Sequence, residues 1–81
     1  MARDLDREAT LLPYVTTGMT VYDVFNEPLG TVERIHLDDA IIEVGTERWR
    51  ERSYRVRADQ VMSVGFARVR LRATGAELEK A

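Results

Sequence analysis

The side chains best suited to chemistry in this chain are its arginines, which make up eleven of the twelve basic residues. Arg68, Arg70 and Arg72 alternate with Val69 and Leu71, and Arg55 and Arg57 alternate with Tyr54 and Val56. Arg48, Arg50 and Arg52 surround Trp49, the single tryptophan. A guanidinium holds a carboxylate or phosphate through two parallel N–H donors, whereas an ammonium is only a point charge. Such rows suit recognition of an acidic protein or of RNA, with Trp49 as a stacking or anchoring residue. The competing reading pairs the same rows with Glu33, Glu43 and Glu47 on neighbouring strands. A net charge of −2 favours pairing for at least half of them and weighs against nucleic acid.

That net charge conceals a division along the chain. Residues 1–47 carry ten acids and three arginines, whereas residues 48–72 carry eight arginines and only Glu51 and Asp59. The division fits either a partner-binding face or acidic and basic strands paired within one domain.

Catalytic candidates are few. His36 is the only histidine, and it stands in no nucleophile pattern with Ser or Cys. His36, Asp38 and Asp39 could ligate a metal only from an Asp-Asp turn, and adjacent acids there are usually turn formers. With no cysteine, disulfides and thiolate metal sites are impossible. The scattered glycines form no phosphate-binding loop. The sequence reads as a non-enzyme without cofactor or metal.

A second candidate surface is apolar: Leu11, Leu12, Tyr14 and Val15, held extended by Pro13. It either covers one end of the domain or pairs with a second copy, since small domains gain stability by association. No apolar run approaches the ~20 residues that span a bilayer, and no signal peptide precedes residue 11, so the expected location is cytoplasmic.

Eighty-one residues make one small domain, with the expected divisions a partly flexible leader at 1–15, the folded domain at 16–73 and a tail at 74–81. Alternating and β-branched segments predict strands at 19–25, 29–37, 40–44, 53–57 and 64–72. Val32 and Ile35 both suit a core yet lie three apart, which predicts a bulge near Glu33-Arg34. Gly30 allows a bulge or a close backbone approach. Ala58-Asp59-Gln60-Val61 predicts one helical turn with Val61 filling an end of the core, and residues from 73 onward are expected to fray. The expected fold class is all-β: a small barrel of five to six antiparallel strands with one short helical turn, closed or nearly so to remove its edges.

The run Gly18-Met19-Thr20-Val21-Tyr22-Asp23, followed by Leu29-Gly30-Thr31-Val32-Glu33-Arg34-Ile35 and Asp38, resembles the opening of PRC-barrel domains. Tyr54-Arg55-Val56, Ala58-Asp59-Gln60-Val61, Val64 and Val69-Arg70-Leu71 are similar to the end of that family, so the resemblance covers residues 18–72. Asn26-Glu27-Pro28 stands where many members have an Asp-Gly turn, and Arg57-Ala58 where many carry a proline. The resemblance implies a non-catalytic barrel of the kind found in photosynthetic reaction-centre H subunits, the ribosome maturation factor RimM and small stand-alone prokaryotic proteins, the last being most similar. It brings no catalytic residues. The expected function is a protein-interaction module, self-associating as a homodimer, through Leu11, Leu12, Tyr14, Trp49, Arg50, Arg55, Arg57, Arg68, Arg70 and Arg72. The alternative, by analogy with RimM, is an RNA- or ribosome-associated factor.

Overall fold

A computed structural model describes residues 11–46 and 53–80. Among these residues seven strands build one sheet: β1 Thr20–Tyr22, β2 Pro28–His36, β3 Ile41–Gly45, β4 Ser53–Arg57, β5 Val61–Gly65, β6 Arg68–Leu71 and β7 Glu79–Lys80. The order across the sheet is β5-β6-β1-β2-β3-β4-β7. Every neighbouring pair is antiparallel except β1 and β6, which are parallel. The all-β class holds, but the strand count and the uniformly antiparallel arrangement do not. Nor does the hydrogen-bonded ladder close, since β5 and β7 are its two ends.

The sheet nevertheless curls. β4 and β5 are five strand spacings apart, about 24 Å across a flat sheet. Yet they are joined by a single 3₁₀ turn, Ala58–Gln60, and the four Cα steps from Arg57 to Val61 span at most about 15 Å. Only a curled sheet satisfies both lengths. The turn is bonded on both sides: the Ala58 N–H donates to the Ala40 carbonyl, and the Gln60 carbonyl accepts from the Arg72 N–H, each at 2.9 Å. The Gln60 side chain also accepts from the Arg57 N–H at 2.9 Å.

Curling gathers one core from every long strand. Val21, Val32, Ile42, Val44, Tyr54, Val56, Val61, Val69 and Leu71 pack with Leu12 and Val15 ahead of β1 and with Leu78 just ahead of β7. Leu78 enters the core behind a 3₁₀ turn at Gly75–Glu77, and β7 then pairs with β4. Residues 73–80 therefore do not fray: Leu78 removes enough apolar surface from water to hold the segment down.

Two further departures have local causes. The strand expected over 64–72 is broken by a hairpin turn: residues 64 and 65 end β5, Phe66 and Ala67 make the turn, and β6 follows. Ala67 takes the left-handed turn position (φ +62) that Gly or Asn usually marks, so composition gave no turn signal. The strand expected over 19–25 stops at Tyr22 because the buried Asp23 carboxylate accepts from the Phe25 and Glu27 N–H groups, both at 2.8 Å. That side-chain turn takes the backbone donors a longer strand would need.

The expected bulge is present. Val32 pairs with Val44 and Arg34 with Glu43, leaving Glu33 as the extra residue. The frame shift puts both Val32 and Ile35 against the core. A second bulge skips Leu29, where Val21 opposes Gly30 and Tyr22 opposes Pro28. Gly30 has φ +155, and a Cβ there would collide with the Gly45 carbonyl oxygen.

Gly30→Ala is expected to cost about 2–4 kcal/mol, because backbone strain and an immovable carbonyl oppose it together. Gly45→Ala meets only the mobile Glu33 carboxylate, and Gly18→Ala, with nothing within 4 Å, carries backbone strain alone. Urea denaturation should rank Gly30→Ala well below both. Equal losses at the three positions would refute the close approach as the cause.

Candidate functional site

The strand registers decide which arginines are neutralised. Four residues stand directly opposite one another on adjacent strands, with alternating sign: Arg34 on β2, Glu43 on β3, Arg55 on β4 and Glu79 on β7. Arg55 reaches Glu79 at 3.8 Å, and the Glu43 carboxylate accepts a hydrogen bond from His36 Nε2 at 2.8 Å. Arg57, next along β4, lies 3.3 Å from Asp59. Both β4 arginines thus face carboxylates, Arg55 across the strands and Arg57 within the turn that follows β4. Surface pairs of this kind stabilise by roughly 0.2–1 kcal/mol each.

The β6 row has a different setting. Arg68 lies opposite Thr20 on one side and Gly65 on the other; Arg70 lies opposite Tyr22 and Ser63. No acid occupies these registers. The Arg68 guanidinium sits over the Tyr22 ring, 4.5 Å from its centroid, while Arg70 donates a long bond, 3.4 Å, to the Val24 carbonyl. Arg72 donates to the Val61 carbonyl at 3.4 Å. Val69 and Leu71, between them, are fully buried, so the pleat forces the arginines outward.

Large apolar side chains flank this row at both ends. Phe66, at the tip of the β5–β6 hairpin, is 98% exposed, and Phe25, beside the Arg70 acceptor Val24, is 73% exposed. The parallel pairing of β1 with β6 therefore makes a strip that reads Phe66, Arg68, Tyr22, Arg70, Phe25. Beside its Phe66 end lies an open groove of about 450 Å³ between Thr16–Met19 and Gly65–Ala67. Tyr22, Phe25 and Phe66 are functional candidates that the sequence pattern did not single out. Only the β1–β6 pairing brings these aromatics beside the arginines.

The other expected site residues are dispersed. Leu12 is in the core, 2% exposed, where the segment covers one end of the domain rather than presenting that side chain outward. Leu11 is half-buried against the core, and Tyr14 projects at 68% exposure. Arg55 and Arg57 lie on β4, separated from β6 along the ladder by β1, β2 and β3. Trp49, Arg48, Arg50, Arg52 and Glu47, with the leader residues 1–10, lie outside the described residues. His36 is a half-exposed strand residue bonded to Glu43, and Asp38 and Asp39 belong to the β2–β3 turn. Among the described residues no three His, Asp or Glu side chains cluster closely enough to hold a metal ion. None of their helices is long and apolar enough to cross a membrane.

In comparisons with known proteins, the chain matches no family model, no curated protein and no solved structure.

The two rows should respond differently to charge reversal. Arg55→Glu places three acids in a line, Glu43, residue 55 and Glu79, and should destabilise by about 1 kcal/mol. Arg70→Glu meets neutral residues directly across the strands, Tyr22 and Ser63, and should change stability by less than about 0.5 kcal/mol. Thermal unfolding of the two variants at low salt checks this; equal losses would show that the β6 row is also structural.

Proposed function

We propose that this protein is a non-catalytic binding module, a PRC-type barrel by resemblance, that engages an acidic segment of a partner protein along the β1–β6 strip. The observation that carries this reading is the neutral register around Arg68 and Arg70, two outward guanidinium groups with no carboxylate opposite them among the described residues and a tyrosine ring beside them. Protein-binding hot spots combine these features: arginine for bidentate contact with carboxylates, and aromatics for desolvated area. Charge on the rest of the sheet favours a short acidic segment over a nucleic acid. On β2, β3, β4 and β7 the outward charges alternate in sign, Arg34, Glu43, Arg55 and Glu79, so the rest of the sheet offers no extended cationic track for a long phosphate backbone. The pairing of Arg68 with Tyr22 favours a second reading, single-stranded RNA stacked on the ring.

Fluorescence anisotropy with a labelled polyglutamate peptide and a labelled oligouridine of equal charge separates the two. The peptide should bind, more weakly as salt rises, and Arg68→Glu with Arg70→Glu should weaken it about tenfold or more, while Arg55→Ala changes it little. Binding confined to the oligouridine, with a steep salt dependence, would replace this reading by the second.

A further inference from the structure

We infer that the acidic segment held along the β1–β6 strip carries an apolar side chain beside its acids, and that the groove between Thr16–Met19 and Gly65–Ala67 receives it. The inference rests on the proposed binding of an acidic segment and specifies the pattern that segment must have.

The groove exists because β1 and β6 are parallel, which sets the turns leading into both strands side by side at one end of the pair. Both walls are tied to the sheet. The Thr20 N–H donates to the Ala67 carbonyl at 3.2 Å, joining one wall to the other. The Gly18 N–H donates to the Val32 carbonyl and the Val32 N–H to the Met19 carbonyl, each at 2.9 Å, joining the first wall to β2. Within that wall the Met19 sulfur accepts from the Thr16 N–H at 3.5 Å, which holds the side chain over its own turn. The groove is therefore formed before a partner arrives, and filling it costs little ordering of this chain.

Its chemistry differs from that of the strip it adjoins. None of the lining residues is charged, in a chain that is 32% charged. Met19, Ala67 and Phe66 supply apolar surface, while Gly18 and Gly65 have no side chain to fill the space. A third carboxylate would find no cation there. An apolar side chain would lie against Phe66, whose ring is otherwise 98% exposed. The volume of about 450 Å³ falls within the roughly 300–1,000 Å³ of ligand sites and is ample for one aromatic side chain.

The strand period sets the position of that side chain. Arg68 and Arg70 are two residues apart on one strand, about 7 Å, and alternate residues of any extended segment have the same separation. Gly65–Ala67 immediately precede Arg68, so the groove lies one step further along the same line. A segment that meets all three reads apolar, any, acid, any, acid, in whichever direction its chain runs. An acidic run without the apolar residue engages the arginines alone.

Fluorescence anisotropy with three labelled peptides in identical Gly-Ser flanks tests this: Phe-Ser-Glu-Ser-Glu, the same residues in reverse order, and Ser-Ser-Glu-Ser-Glu. One of the two phenylalanine peptides should bind about five- to tenfold more tightly than the serine peptide. Thr17→Trp, which fills the groove, and Phe66→Ser, which removes one wall, should each erase that advantage. Both positions are exposed, so thermal unfolding of the two variants should match the wild type. Equal binding of all three peptides would overturn the inference and leave the acidic-segment reading standing. So would an advantage that survives in either folded variant, since the apolar residue would then lie elsewhere, as at Phe25. No binding of any of the three would overturn the acidic-segment reading itself, and this inference with it.

Discussion

The three-residue turn Ala58–Gln60 constrains everything else in this domain. It joins strands that a flat sheet would hold about 24 Å apart, so the sheet must roll until β4 and β5 approach. Its own backbone is tied at both ends, to Ala40 beyond β2 and to Arg72 beyond β6, which fixes how far the roll proceeds. Rolling turns the inward face of six strands into a single enclosed core of mostly valine, leucine and isoleucine. β-branched residues suit such a surface because their restricted rotamers lose little freedom on a pleated strand.

Curvature of this degree needs places where the pleat can slip, and the chain supplies three. The Leu29 bulge, the Glu33 bulge and the irregularity at Met62 each insert one residue against a partner strand. Each increases local twist and bends its strand. At the first, Gly30 lets the β2 backbone approach the Gly45 carbonyl to a distance no side chain would tolerate. Asp23 performs the complementary task in the β1–β2 turn, satisfying two N–H groups that the shortened β1 leaves without a ladder partner.

The same topology sorts the charges. Antiparallel pairing of β2, β3, β4 and β7 brings the acidic and basic halves of the chain into register, and there the arginines are matched. Parallel pairing of β1 with β6 sets Arg68 and Arg70 beside Thr20 and Tyr22 instead. The β4 row thus faces carboxylates, while in the other Arg68 lies over a ring face and Arg70 donates to a carbonyl. The division coincides with the division between edges: charged and short at β7, neutral and longer at β5.

Much of this was written in residue order. Alternation placed Tyr54, Val56, Val69 and Leu71 inside and their arginines outside; the three-residue spacing of Val32 and Ile35 required the bulge at Glu33; Ala58–Gln60 read as a helical turn. These are local patterns, set by the two-residue period of a strand and by turn chemistry. The β5–β6 hairpin escaped notice because Ala67, not Gly or Asn, takes the left-handed position at its tip. The early end of β1 escaped because Val24 and Phe25 look like strand residues, until Asp23 captures the backbone ahead of them. Leu12 and Leu78 looked peripheral because their core partners are distant in sequence. The sequence by itself determined which residues face inward and that arginine dominates the outer surface. Only the tertiary structure decided which arginines meet a carboxylate, because that depends on which strands become neighbours, and strand order is settled by long-range closure rather than by any local pattern.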